Sequence, residues 1–113
     1  MKKIIAYIRK EKADTVTALL EEADINGMTL IDANAIAELV DKEAFSYSNE
    51  YVQKYSQVVK IELVCNDSNV DQLVNVISTY GETGRSGDGW VFVSPINKAV
   101  RIKTGAENDF NNL

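Results

Sequence analysis

Apolar and polar positions along the chain repeat one pattern twice. From Lys2 to Arg9 the residues are β-branched and aromatic, apolar on both faces and bounded by charge, which predicts a short strand. From Glu11 to Ala23 the period lengthens: Val16, Leu19, Leu20 and Ala23 fall at i, i+3, i+4 and i+7, one apolar stripe of a helix. Asp24-Ile25-Asn26-Gly27 is expected to close that helix, and Met28 to begin a second strand reaching about Ala35. Strict alternation returns at Val58 to Val64, with Val59, Ile61 and Leu63 on one face and Lys60 and Glu62 on the other. Asn66-Asp67-Ser68 is expected to cap a second helix, Ser68 and Asp71 having the spacing of a capping box. Val70, Leu73, Val74 and Ile77 repeat the stripe, Gly81 ends it, and Trp90 to Ile96 closes the second unit as a strand.

The second stripe copies the first at a fixed offset, Val16 to Val70 and Leu19 to Leu73. Two β-α-β halves in tandem predict an α+β ferredoxin-like plait (βαββαβ), an antiparallel sheet with both helices on one face. The other face must be solvated or buried against something else, and the apolar strands around Tyr7, Ile61 and Leu63 favour burial by self-association.

The chain has 113 residues, 45% hydrophobic and 26% charged, which fits one domain over 1–113. A net charge of −5 argues against nucleic acid as the main partner, although a small cationic pocket remains allowed. With one cysteine and no histidine, an intrachain disulfide and a Cys/His zinc site are both excluded, and Cys65 reads as apolar filler. The apolar run after Lys2 and Lys3 stops at Arg9, too short for a secretory signal or a membrane span, so a cytoplasmic protein is expected.

Thr83-Gly84-Arg85-Ser86-Gly87-Asp88-Gly89 holds three glycines in seven residues. Such backbone can present successive N–H groups as a nest for phosphate oxygens, and it also suits an ordinary turn. Arg101 and Lys103 follow on alternate positions; in an extended strand both would project to one side. Nest and cations together would make a polyphosphate site.

Gly27-Met28-Thr29, Val59-Lys60-Ile61-Glu62, the Thr83–Gly89 stretch, Phe92-Val93-Ser94-Pro95 and Arg101-Ile102-Lys103-Thr104-Gly105 resemble the signature blocks of PII signal-transduction proteins, in the family's order and spacing. The resemblance implies a cytoplasmic homotrimer that binds ATP or ADP between subunits and regulates transporters or enzymes through a long loop. It implies that Gly87, Asp88 and Gly89 hold phosphates, with Arg101 and Lys103 reaching them across the subunit boundary. Thr29 would meet the ribose or base edge, and the strand Ile61, Glu62, Leu63 and Val64 would hold adenine through its backbone.

The chain departs from that pattern in two places. The family's lysine after Gly-Asp-Gly is Trp90 here, which predicts weaker preference for a triphosphate; the indole would pack in the cleft or over the base, or else fill the subunit interface. In the effector-loop region, about 36–57, the family's Gly-Arg-Gln run and closing lysine are Ala37, Glu38, Leu39 and Val58. A carboxylate at 38 would repel 2-oxoglutarate, so sensing of that keto acid is not expected, and a magnesium requirement stays open. The channel-plugging arginine is Tyr47, and Tyr51, where some relatives are uridylylated, lacks the usual flanking residues and reads as a structural aromatic. Tyr51 and Tyr55 share odd positions with Val59, so the Val58 strand would extend backwards, pairing with Phe45-Ser46-Tyr47 through a turn at Ser48-Asn49. Asn34 would cap a short helix bearing Ile36, Leu39 and Val40. The tail, 106–113, is polar and expected to be mobile.

The leading expectation is a regulator without catalytic activity, whose target is a transporter or an enzyme. Alternatives are a related sensor of another ligand such as cyclic di-AMP, and a small phosphate-ester hydrolase on the same plait, for which Asp88 is the candidate general base.

Overall fold

In a computed structural model the described residues are 1–23, 25, 27–35, 56–85 and 88–107. β1 (Lys2–Arg9), α1 (Ala13–Glu22), β2 (Thr29–Ala35), β3 (Ser56–Cys65), α2 (Val70–Gly81) and β4 (Val91–Pro95) follow in that order. The strands lie in the order β2-β3-β1-β4, and every neighbouring pair is antiparallel. This is the plait expected of two tandem halves.

The period-2 and period-3.6 patterns meet in one core. Ile4, Ala6 and Ile8 of β1 and Val59, Ile61, Leu63 and Cys65 of β3 turn to the same face, where Val16 and Leu20 of α1 and Leu73 and Ile77 of α2 bury against them. The register is Ile4 opposite Leu63, Ala6 opposite Ile61 and Ile8 opposite Val59; a slip of one residue would turn every one of these side chains to the other face. Burying each large apolar side chain contributes roughly 1.5–3 kcal/mol, so the register is strongly held. Gly81 lets α2 lie close to β1, since a Cβ there would stand 3.3 Å from Ile8 Cγ2.

Ile61 and Leu63 are 0% and 3% exposed under the helices, so they do not belong to the uncovered face and cannot drive self-association. That face instead presents Ile5, Tyr7, Lys60, Glu62 and Phe92, which the register places side by side. The capping box is also absent. A 3-10 turn, Asp67–Asn69, precedes α2 with no side-chain cap, and Asp67 pairs with the N-terminal amine at 2.5 Å. A matching turn, Lys10–Lys12, precedes α1, which begins two residues after Glu11 and ends one before Ala23. Asn34 pairs with Gln57 inside the β2–β3 ladder and so caps no helix. β3 starts at Ser56, two residues before the expected Val58, opposite Ala35. The expected short helix, the hairpin around Ser48-Asn49, and Glu38, Leu39, Tyr47, Tyr51 and Tyr55 lie outside the described residues.

Candidate functional site

The described sequence-predicted site residues other than Ile61 lie at three places on the chain, two near opposite ends of β1 and the third on the turn after β4. The first is the turn between α2 and β4. The Asp88 carboxylate holds this turn together: Oδ2 accepts from the N–H of Thr83 (2.9 Å) and of Gly84 (3.2 Å), and Oδ1 accepts from the Thr83 hydroxyl (2.7 Å) and Arg9 Nε (2.9 Å). Burial pushes this carboxyl upward, but the Thr83, Arg9 and Gly84 donors outweigh burial and hold it at about 2. An ionised carboxylate saturated with donors is a poor general base, which removes the residue a hydrolase would have needed. Arg85 adds a second tie to the β1–α1 corner through an ion pair with Glu11.

Gly89 lies against β1, where any Cβ would run into the Tyr7 carbonyl oxygen. The next residue is fixed by the Tyr7 N–H, which donates to the Trp90 carbonyl at 2.9 Å. The Trp90 indole stacks on Phe92 (6.2 Å between centroids, 15° between planes), and Phe92 meets Tyr7 edge-on at 6.3 Å. Lys60 Nζ stands 5.9 Å from the Tyr7 ring centroid and pairs with Glu62 at 2.8 Å. The Glu62 partner raises the Lys60 ammonium, and Lys60 in turn lowers the Glu62 carboxyl. Gly87 lies outside the described residues.

The second place is a cleft of about 500 Å³ bordered by Thr29, Glu62, Leu63, Val64, Lys3 and Lys98. Thr29 is the first residue of β2 and faces Glu62, so β3 runs past its neighbour. Beyond that point Leu63 and Val64 have no strand beside them on the β2 side among the described residues. Ile61 does not border this cleft: its side chain is buried, and its backbone lies between Ala6 and Leu30 within two ladders.

Arg101 and Lys103 do not lie in a strand. Residues 102–104 form a turn closed by Gly105, whose φ of 72° suits glycine and whose N–H donates to the Arg101 carbonyl at 2.7 Å. The Arg101 N–H donates to Ala106 at 2.9 Å, Val100 bridges Glu107, and Lys98 pairs with Glu107 at 3.2 Å. Both cations therefore sit on a closed hairpin-like turn, and their strand alternation does not apply. Arg101 Nη2 is buried without a hydrogen-bond partner among the described residues. An unpaired buried donor of this kind costs about 1–3 kcal/mol.

The first two places are divided by the stretch of β1 from Lys3 to Tyr7, about 13 Å of strand. The chain thus carries the Asp88-held turn near one end of β1 and a cleft of about 500 Å³ near the other. Sequence reasoning missed Arg9, Thr83, Glu11, Lys3 and Lys98. The Arg9–Asp88 contact spans 79 positions and leaves no local signal, whereas Thr83 ahead of Gly84 and Asp88 was readable as a turn-forming hydroxyl.

The ferredoxin-like plait thus carries a glycine-rich turn after its second helix and a basic turn after its last strand. The sequence model of the family described as nitrogen regulatory protein P-II matches residues 1–106. Similar proteins include nitrogen regulatory protein P-II of Nostoc punctiforme, 36% identical over 108 residues covering 96% of each chain. That of Azospirillum brasilense is 39% identical over 105 residues, covering 93% of this chain and 94% of the relative. The chain belongs to the P-II family, and is a regulatory signal-transduction protein rather than an enzyme. No helix among the described residues is long and apolar enough to cross a membrane.

Proposed function

We propose that this protein is a cytoplasmic homotrimeric sensor of adenylate energy state that binds ATP or ADP between subunits. The observation that carries this reading is the division of the site: the Asp88–Gly89 turn and the cleft at Thr29 and Val64 lie at opposite ends of one strand, so a neighbouring copy would supply the second half. The uncovered sheet face, with Tyr7 and Phe92 in contact, supports burial against other copies. In the joined cleft, Leu63 and Val64 hold adenine through the backbone, Thr29 meets the ribose or base edge, and Gly87, Asp88 and Gly89 present backbone to the phosphates. Arg101 and Lys103 supply the positive charge, and the orphaned Arg101 Nη2 supports that role.

Asp88 acts by shaping the turn, because its carboxylate is already occupied. Trp90 stacks on Phe92 and brings no charge to the phosphates, so ATP and ADP bind with similar affinity. The region about 36–57 docks on a target, a transporter or another protein, and Glu38 makes 2-oxoglutarate a poor ligand. Calorimetric titration with ATP, ADP, AMP, 2-oxoglutarate and cyclic di-AMP tests the reading. ATP and ADP are expected to bind within a few-fold of each other; binding of cyclic di-AMP alone would replace the ligand, and binding of none would end the proposal.

A further inference from the structure

A notch of about 210 Å³ lies where β2 and β3 extend beyond the helices, bordered by Lys10, Asp32, Ala33, Asn34, Gln57 and Val58. Its place follows from register. Asp32 is opposite Val59 and Asn34 is opposite Gln57, so these three polar side chains share the face that carries the core further along the sheet. All three are exposed, as is Leu30 on the same face, because β2 is the edge strand of the sheet. Lys10, first residue of the 3-10 turn after β1, flanks them. The described residues give none of the four side chains an ion pair or hydrogen bond. The notch shares no bordering residue with the cleft at Thr29 or the pocket at the Asp88 turn, although Lys10 lies between Arg9 and Glu11, which tie the β1–α1 corner to that turn.

We propose that this notch binds a small zwitterion of the α-amino acid class. A simple anion attracted by Lys10 would face the Asp32 carboxylate, and a simple cation attracted by Asp32 would face the Lys10 ammonium. Only a ligand carrying both signs satisfies both groups, with its carboxylate on Lys10 and its ammonium on Asp32. The Asn34 and Gln57 amides each offer a donor and an acceptor for a polar side chain. The volume falls below the roughly 300–1,000 Å³ of pockets for drug-sized ligands, which restricts the ligand to a small metabolite. The site joins the β1–α1 corner to the ends of the strands flanking residues 36–55, so occupancy would tie those three elements together.

The test is a two-dimensional amide NMR titration of the full chain with each of the common amino acids up to about 10 mM. At least one is expected to shift the amides of Ala33 and Val58 saturably, while its amine lacking the carboxylate and its carboxylate lacking the amine do not. Lys10→Met and Asp32→Asn should each weaken binding about 10- to 100-fold, the effect of losing one charge-assisted contact, and leave nucleotide titrations unchanged. Because these four side chains are exposed, both variants should fold. No saturable shift with any amino acid overturns the proposal, as does binding that survives both substitutions.

Discussion

Replacing Asp88 by Asn tests what holds the turn between α2 and β4 together. The carboxylate accepts four hydrogen bonds from Thr83, Gly84 and Arg9 and titrates at about 2 instead of 3.8. A fall of that size corresponds by linkage to about 2 kcal/mol of folding stability. The folded value is depressed, so this contribution is complete above the unfolded value of 3.8 and is lost as pH falls through about 2. The amide keeps the shape but loses the charge and turns an NH2 group toward donors. Urea denaturation of both proteins at fixed chain concentration should show Asp88→Asn weaker by about 2 kcal/mol at pH 7. The difference should shrink between about pH 5 and pH 2, as the native carboxylate is neutralised. Taking the difference cancels the acid response of other carboxylates. Equal stability at neutral pH, or a gap that does not change with acid, would refute the assignment of Asp88 as the organiser of the turn.

Gly89→Ala places a methyl group against the Tyr7 carbonyl and should cost about 2–4 kcal/mol by displacing the Tyr7–Trp90 hydrogen bond, read in thermal denaturation; an unchanged midpoint would show that the close approach is not needed. Leu73→Ala opens a cavity under a fully buried side chain and should cost about 2–5 kcal/mol by chemical denaturation, while a loss below 1 kcal/mol would place Leu73 outside the core. Arg101→Ala should lower nucleotide affinity about 10- to 100-fold in calorimetry with little change in melting temperature, since Nη2 has no hydrogen-bond partner among the described residues; unchanged affinity would remove Arg101 from the proposed site. Trp90 is the only tryptophan in the chain, so its emission should change on adding ATP if the turn is the phosphate site.

The two matching stripes made the plait legible, because Val16, Leu20, Leu73 and Ile77 recur at helix spacing and all four are buried. Alternation also identified the two faces of β3, yet the chain alone assigned Ile61 and Leu63 to the open side. Apolar character says that a face is buried, and only pairing with Ala6 and Ile4 says against what. The caps failed for a related reason. Asp67 found the N-terminal amine, a long-range partner that outbid the local capping pattern at Ser68. Glycine spacing marked the Asp88 turn, but its contact with Arg9 is invisible to any local window, and so is the orphaned state of Arg101 Nη2. Alternation at Arg101 and Lys103 suggests a strand, but Gly105 turns the chain there and its N–H closes onto the Arg101 carbonyl.

The most direct test of the central claim is native mass spectrometry of the protein with saturating ATP or ADP. The expected result is an assembly of three chains carrying up to three nucleotides, with no nucleotide on any separated single chain. A monomer that holds nucleotide, or a trimer that remains empty at saturation, would contradict a site built between subunits.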